Sequence, residues 1–85
     1  MLSDAGSEIQ EFVTRIARKL VDTPDGVKVT IVESGATIIV ELTADPSDIG
    51  KVIGREGRMA QSMRVLITAV ATKLGKKAVL QIVEK

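Results

Sequence analysis

Ile49-Gly50-Lys51-Val52-Ile53-Gly54-Arg55-Glu56-Gly57-Arg58 is the stretch on which the chain turns. Val52 and Ile53 end a short helical segment, four residues framed by glycines follow, and a long amphipathic run begins at once. Gly54 and Gly57 carry no Cβ, so the backbone can bend sharply there and come close to a ligand. The amides that open the next helix then point outward with a partial positive charge, which suits an anion. Arg55 and Arg58 flank the loop and Lys51 lies one helical turn earlier. These residues make a candidate clamp for a phosphate backbone.

Outward from this stretch, the flanking elements are legible by period. Before it, Ile9, Phe12, Val13, Ile16, Ala17, Leu20 and Val21 recur in alternating steps of three and one, a helical stripe. Ser7 and Gln10 are read as a capping box at its start, and Thr23-Pro24-Asp25-Gly26 as the turn that ends it. Residues 27–43 read as a β-hairpin with Ser34-Gly35 as its turn. That turn sets Val27 against Leu42, Val29 against Val40 and Ile31 against Ile38 on one apolar face. On the other face it sets Lys28 against Glu41, Thr30 against Ile39 and Val32 against Thr37. Asp45 is read as an N-cap and Pro46 as the first turn of a short helix that Gly54 stops.

After Gly57 the spacing predicts a helix from about Arg58 to Leu74, with Met59, Met63, Leu66, Ile67, Val70 and Leu74 facing the core. Gly75 is a natural stop. Ala78, Leu80 and Ile82 then alternate as a last strand. The order α-β-β-α-α-β predicts an α+β fold, a two-layer sandwich in which a three-stranded mixed sheet packs against three helices. The two-helix crossover brings the last strand parallel beside the second, which becomes central.

Composition limits the chemistry. Eighty-five residues make one domain, 1–85, with its core at about 7–84. Twelve basic and eleven acidic residues leave a net charge of +1. Residues 51–64 nevertheless hold Lys51, Arg55, Arg58 and Arg64 against Glu56 alone, a local +3 on a remainder of −2. A focused basic patch fits localised anion binding. Phe12 is the only aromatic residue, so aromatic stacking platforms are excluded as the main device. With neither Cys nor His, thiol and imidazole catalysis and zinc sites are excluded too. No catalytic residue, metal site or cofactor is expected. Other phosphate motifs fail on spacing: there is no GxxxxGK followed by Ser or Thr, and Gly50, Gly54 and Gly57 do not make GxGxxG. The polar, acidic start is not a signal peptide, no run is long enough to span a bilayer, and a cytoplasmic location is expected.

Two glycines three apart also occur as plain helix–helix joints. The element order argues against that here. Val52-Ile53-Gly54-Arg55-Glu56-Gly57, set between two helices with a strand before and after, resembles the GxxG core of a KH domain. The helix and strand placed ahead match the prokaryotic, type II arrangement. The likeness spans roughly residues 7–84 and points to the small bacterial single-KH RNA-binding proteins and RNA chaperones, the KhpA-like family. It implies a non-enzymatic single-stranded RNA-binding protein, an RNA chaperone or post-transcriptional regulator. Gly54–Gly57 would grip the backbone of about four unpaired nucleotides. Ile49, Val52 and Ile53 would form a groove wall, and Lys51, Arg55 and Arg58 would meet phosphates. Gln61 or Arg64 would reach a base or a further phosphate.

Two residues depart from the family's pattern. Ala60 stands where many KH domains carry a branched apolar residue, giving a shallower wall. Glu56 inside the loop is expected to pair with a neighbouring arginine or to weaken binding. The likeness also implies a homodimer, or a heterodimer with another KH-domain RNA-binding protein. The alternative is a protein-interaction or ribosome-associated module docking through Val32, Ile39, Val65 and Ala69, against which stands the ordinary scatter of exposed apolar residues.

Overall fold

The computed structural model describes residues 2–84. In chain order it forms α1 (Asp4–Leu20), β1 (Lys28–Ser34), β2 (Thr37–Thr43), α2 (Ile49–Ile53), α3 (Arg58–Lys73) and β3 (Lys77–Ile82). Single 3-10 turns occupy Pro24–Gly26 and Arg55–Gly57. The strands form one mixed sheet in the order β1-β2-β3, with β1 antiparallel and β3 parallel to β2. The α+β sandwich and its α-β-β-α-α-β order are as the sequence predicts. Alternation along β2 buries Ile38, Val40 and Leu42 against Ile9, Val13 and Ala17 of α1 and Met63, Ile67 and Ala71 of α3.

Four sequence expectations are corrected. First, α1 begins at Asp4, and its cap is Ser3, whose Oγ accepts from the Gly6 N–H at 3.0 Å. Gln10 closes no capping box with Ser7; its Nε2 donates to the Val29 carbonyl of β1 at 2.9 Å. The cause is tertiary. Glu33 at the end of β1 accepts from both the amide and the hydroxyl of Ser3 and so holds the helix start from outside.

Second, the hairpin turns at Gly35-Ala36, one residue later than Ser34-Gly35. Gly35 has φ 59° while Ala36 keeps a negative φ, the pattern of a type II′ turn with glycine in the first central position. The register is therefore Val29 with Leu42, Ile31 with Val40, Thr30 with Glu41 and Val32 with Ile39. A slip of two residues leaves every side chain on its original face, so the apolar pattern fits both registers equally well.

Third, residues 46–48 form a turn and α2 starts only at Ile49. Asp45 closes that turn by accepting from the Ser47 amide and hydroxyl at 3.0 and 2.7 Å, so it caps no helix. Fourth, Leu66 is 47% exposed. The buried stripe of α3 is Ala60, Met63, Ile67 and Ala71, and Leu66 lies about 100° around the helix from Ile67. Met59, Val70 and Leu74 lie at the margins of that stripe, partly buried against the core.

Candidate nucleic-acid interface

The glycine loop takes its shape from three unusual backbones within four residues. α2 closes where the Gly54 N–H donates to the Gly50 carbonyl at 2.8 Å. Gly54 then has φ 78° and ψ 172°, a region open essentially to glycine alone. A Cβ there would stand 2.6 Å from Met59 Cβ and 2.8 Å from the Met59 nitrogen, so α3 leaves no room for one. Glu56 (φ 55°) and Gly57 (φ 72°) are both left-handed, and the Gly57 N–H donates back to the Gly54 carbonyl at 3.1 Å. The result is a tight, internally bonded loop leading into the N-terminus of a 16-residue helix. The amides of that first turn are not satisfied within the helix and carry its positive end.

Arg55, Glu56, Arg58, Gln61 and Arg64 are all exposed at or beyond this loop. Arg58 Nη2 lies 3.5 Å from Glu56 Oε2, with both side chains largely in solvent. Such a pair contributes little, so Arg58 remains available to a stronger anion. Among the described residues no carboxylate lies within 4.0 Å of the Arg55 or Arg64 guanidinium.

Lys51 is placed differently from the arginines. Its Nζ donates to Asp22 at 2.9 Å and to Asp48 at 3.1 Å. Asp48 is 1% exposed and also accepts from the amides of Asp22 and Thr23 at 3.3 and 2.9 Å. Burial pushes the Asp48 carboxyl up, but the Thr23 amide, the Lys51 ammonium and the Asp22 amide together outweigh it and hold it below the usual Asp value. The hydrogen bonds to Asp22 and then Asp48 hold the Lys51 ammonium above the usual Lys value. Asp48 makes no cap for its own helix. Instead it ties the start of α2 to the segment leaving α1. Lys51 and Asp48 thus fix the helix that carries the glycine loop.

The apolar wall also divides. Val52 is fully buried, while Ile49 and Ile53 are half-buried beside it. Ala60 is 4% exposed, so it is buried rather than part of an open groove wall. Sequence reasoning missed the opposite wall. Between α3 and β3 runs a groove of about 180 Å³ lined by Arg64, Ile67, Thr68, Ala78, Val79 and Leu80. Its signal was present: β3 is an edge strand in the predicted topology, and Thr68 stands one helical turn beyond Arg64. Among the described residues no cluster of carboxylates could hold a metal ion, and no helix is long and apolar enough to cross a membrane.

Comparison with known proteins agrees with this geometry. The family described as KhpA/KhpB, KH domain, matches residues 10–82. The RNA-binding protein KhpA of Aquifex aeolicus is 44% identical over 78 residues, covering 92% of this chain and 99% of the relative. That of Caldanaerobacter subterraneus subsp. tengcongensis is 45% identical over 73 residues, covering 86% and 97%. That of Borreliella burgdorferi is 39% identical over 83 residues, covering 98% and 100%. Sequence, fold and relatives converge: the chain belongs to the KhpA/KhpB family of KH-domain proteins.

Proposed function

We propose that this chain binds single-stranded RNA without catalysis, holding the sugar-phosphate backbone at Gly54–Gly57 and laying bases along the groove between α3 and β3. The observation that carries the reading is the loop itself. Gly54, in a conformation open essentially to glycine, turns the chain tightly into the N-terminus of α3, with exposed Arg55 and Arg58 on either side. The relatives named as RNA-binding proteins support the ligand class. Arg55, Arg58 and Arg64 are the phosphate contacts, with Gln61 beside them, while Ile53 and Ala78 offer apolar surface to bases. Lys51 and Val52 act from behind by holding α2 in place. One short groove reads few bases, which suits an RNA chaperone or post-transcriptional regulator of broad specificity working in the cytoplasm.

Three cationic contacts give a salt slope near −2 on a log-log scale, about fifteen-fold weaker binding for a fourfold rise in salt. The test is to change Arg55 and Glu56 together to Asp, check the fold by circular dichroism and measure binding to pooled cellular RNA. A folded variant that binds as well as the parent, or parent binding indifferent to salt, refutes the clamp.

A second surface favours a protein partner as well. Val65 is 60% and Leu66 47% exposed on α3, with Ala69 exposed one turn on. Val32, Ile39 and Val79 form a cross-strand row on the open sheet face. Exposed apolar residues on these two separate faces suit a second copy or another KH-domain protein, or docking on the ribosome. Retention of a partner by the RNA-deficient variant would separate the two surfaces.

A further inference from the structure

From Gly57 through Val83 the chain contains five basic residues, Arg58, Arg64, Lys73, Lys76 and Lys77, and no acidic one. These are the residues that build α3, its turn and β3, so one whole wall of the molecule is free of negative charge. The basic residues fall at both ends of the wall. Arg58 opens α3 beside the glycine loop. A 16-residue helix then rises about 24 Å before the chain turns into β3. Lys76 and Lys77 stand at that far end, where the Lys77 N–H donates to the Ala36 carbonyl and ties β3 to the tip of the hairpin.

The surface between the two ends is polar and continuous. Gln61, Arg64, Thr68 and Thr72 are all exposed and recur every three or four residues, a single stripe along α3. Arg64 and Thr68 of this stripe line the groove against β3, whose Ala78, Val79 and Leu80 line it from the edge strand. Hydroxyl, amide and cationic side chains in a row are the groups that meet phosphate and sugar oxygens. Among the described residues no carboxylate lies within 4.0 Å of Lys76 or Lys77. The Lys76 charge adds slightly to the lowering of the Glu33 carboxyl, which is held chiefly by the Ser3 hydroxyl and amide.

We infer that Lys76 and Lys77 form a second phosphate-binding site. An RNA strand held at Gly54–Gly57 passes along the α3/β3 groove and is gripped again at the far end of α3. This rests on the RNA-binding reading above and extends it, making the site longer than the four nucleotides that one glycine loop holds. Lys73 is the internal contrast. It lies about 180° around α3 from Arg64, off the stripe, and carries the same charge.

The experiment compares oligouridylates of four and ten nucleotides by fluorescence anisotropy and by amide chemical shifts, across a salt series. The tetranucleotide should shift amides around 54–68 only, and the decanucleotide should also shift those of Lys76 and Lys77. The double variant Lys76→Ala, Lys77→Ala should weaken decanucleotide binding on the order of tenfold at low salt and flatten its slope by about 1.4. It should leave the tetranucleotide unchanged, and Lys73→Ala should change neither. Decanucleotide binding unaffected by the double variant overturns the inference while leaving the loop clamp standing. So does an equal loss on both lengths, or an equal effect from Lys73→Ala, because bulk charge then explains the result. If the parent protein binds neither oligonucleotide, the RNA-binding reading fails and this site fails with it.

Discussion

Replacing Gly54 by alanine should destabilise the protein strongly, whereas the same change at Gly57 should be mild, although both glycines belong to one loop. At Gly54 two costs combine. Its φ of 78° and ψ of 172° lie where other residues pay about 1–3 kcal/mol. The new methyl would also stand 2.6 Å from Met59 Cβ and 2.8 Å from the Met59 backbone nitrogen. Backbone cannot swing aside like the end of a flexible side chain, so overpacking adds about 1–3 kcal/mol. The sum is about 2–6 kcal/mol, against a total stability of about 4–13 kcal/mol for a chain of this size.

Gly57, at φ 72° and ψ 11°, occupies the ordinary left-handed region, and a Cβ there meets nothing within 4 Å. Alanine costs about 1–2 kcal/mol in that region, part of it offset by the lower freedom of the unfolded chain. Urea denaturation followed by far-ultraviolet circular dichroism measures both. For a domain this small each kcal/mol is worth about 4–8 °C in Tm. Gly57→Ala should melt about one such step lower, and Gly54→Ala about 10 °C lower or more. Equal losses at the two positions would refute the argument, because they would mean that contact with Met59 adds nothing to the backbone term.

Three further outcomes follow from other parts of the structure. Glu56→Gln should tighten RNA binding about two- to fivefold and steepen the salt slope by up to about 0.7, since it frees Arg58 and removes a charge from the loop; anisotropy titrations at several salt concentrations check this. Asp48→Asn should destabilise the protein at neutral pH, with the deficit closing in acid. The folded Asp48 carboxyl lies below its usual 3.8, so its stabilisation is complete above that value and is lost as pH falls through the folded one. Melting curves of parent and variant from pH 7 downward should therefore converge, and a constant gap would contradict the buried latch. Leu66→Ala should cost less than about 1 kcal/mol by urea denaturation while Ile67→Ala costs about 2–5, because only the second leaves a cavity in the core.

Local pattern determined a good deal of this protein. The stripe from Ile9 to Val21, the alternation in 27–43 and 78–82, and the stop at Gly54 each depend on neighbours within a few residues. Periodicity therefore exposed the elements, their order and the glycine loop. The placement of Arg55, Arg58, Gln61 and Arg64 at or beyond that loop was legible for the same reason, since each sits at a fixed offset from the two glycines.

What the tertiary structure decided depends on distance in the chain. The hairpin register escaped because alternation distinguishes faces but not slips of two residues. Ser3 became the helix cap because Glu33, thirty residues later, reaches it. Leu66 fell outside the core because the crossing of α3 over the sheet selects the side with Ala60 and Ala71. Lys51 turned from a free cation into a strut because folding brings Asp22 and the buried Asp48 to its ammonium. The second wall of the groove exists only where β3 returns beside α3. A sequence states which side of each element is apolar, but only the packed fold sets which charges meet and which strand closes the site.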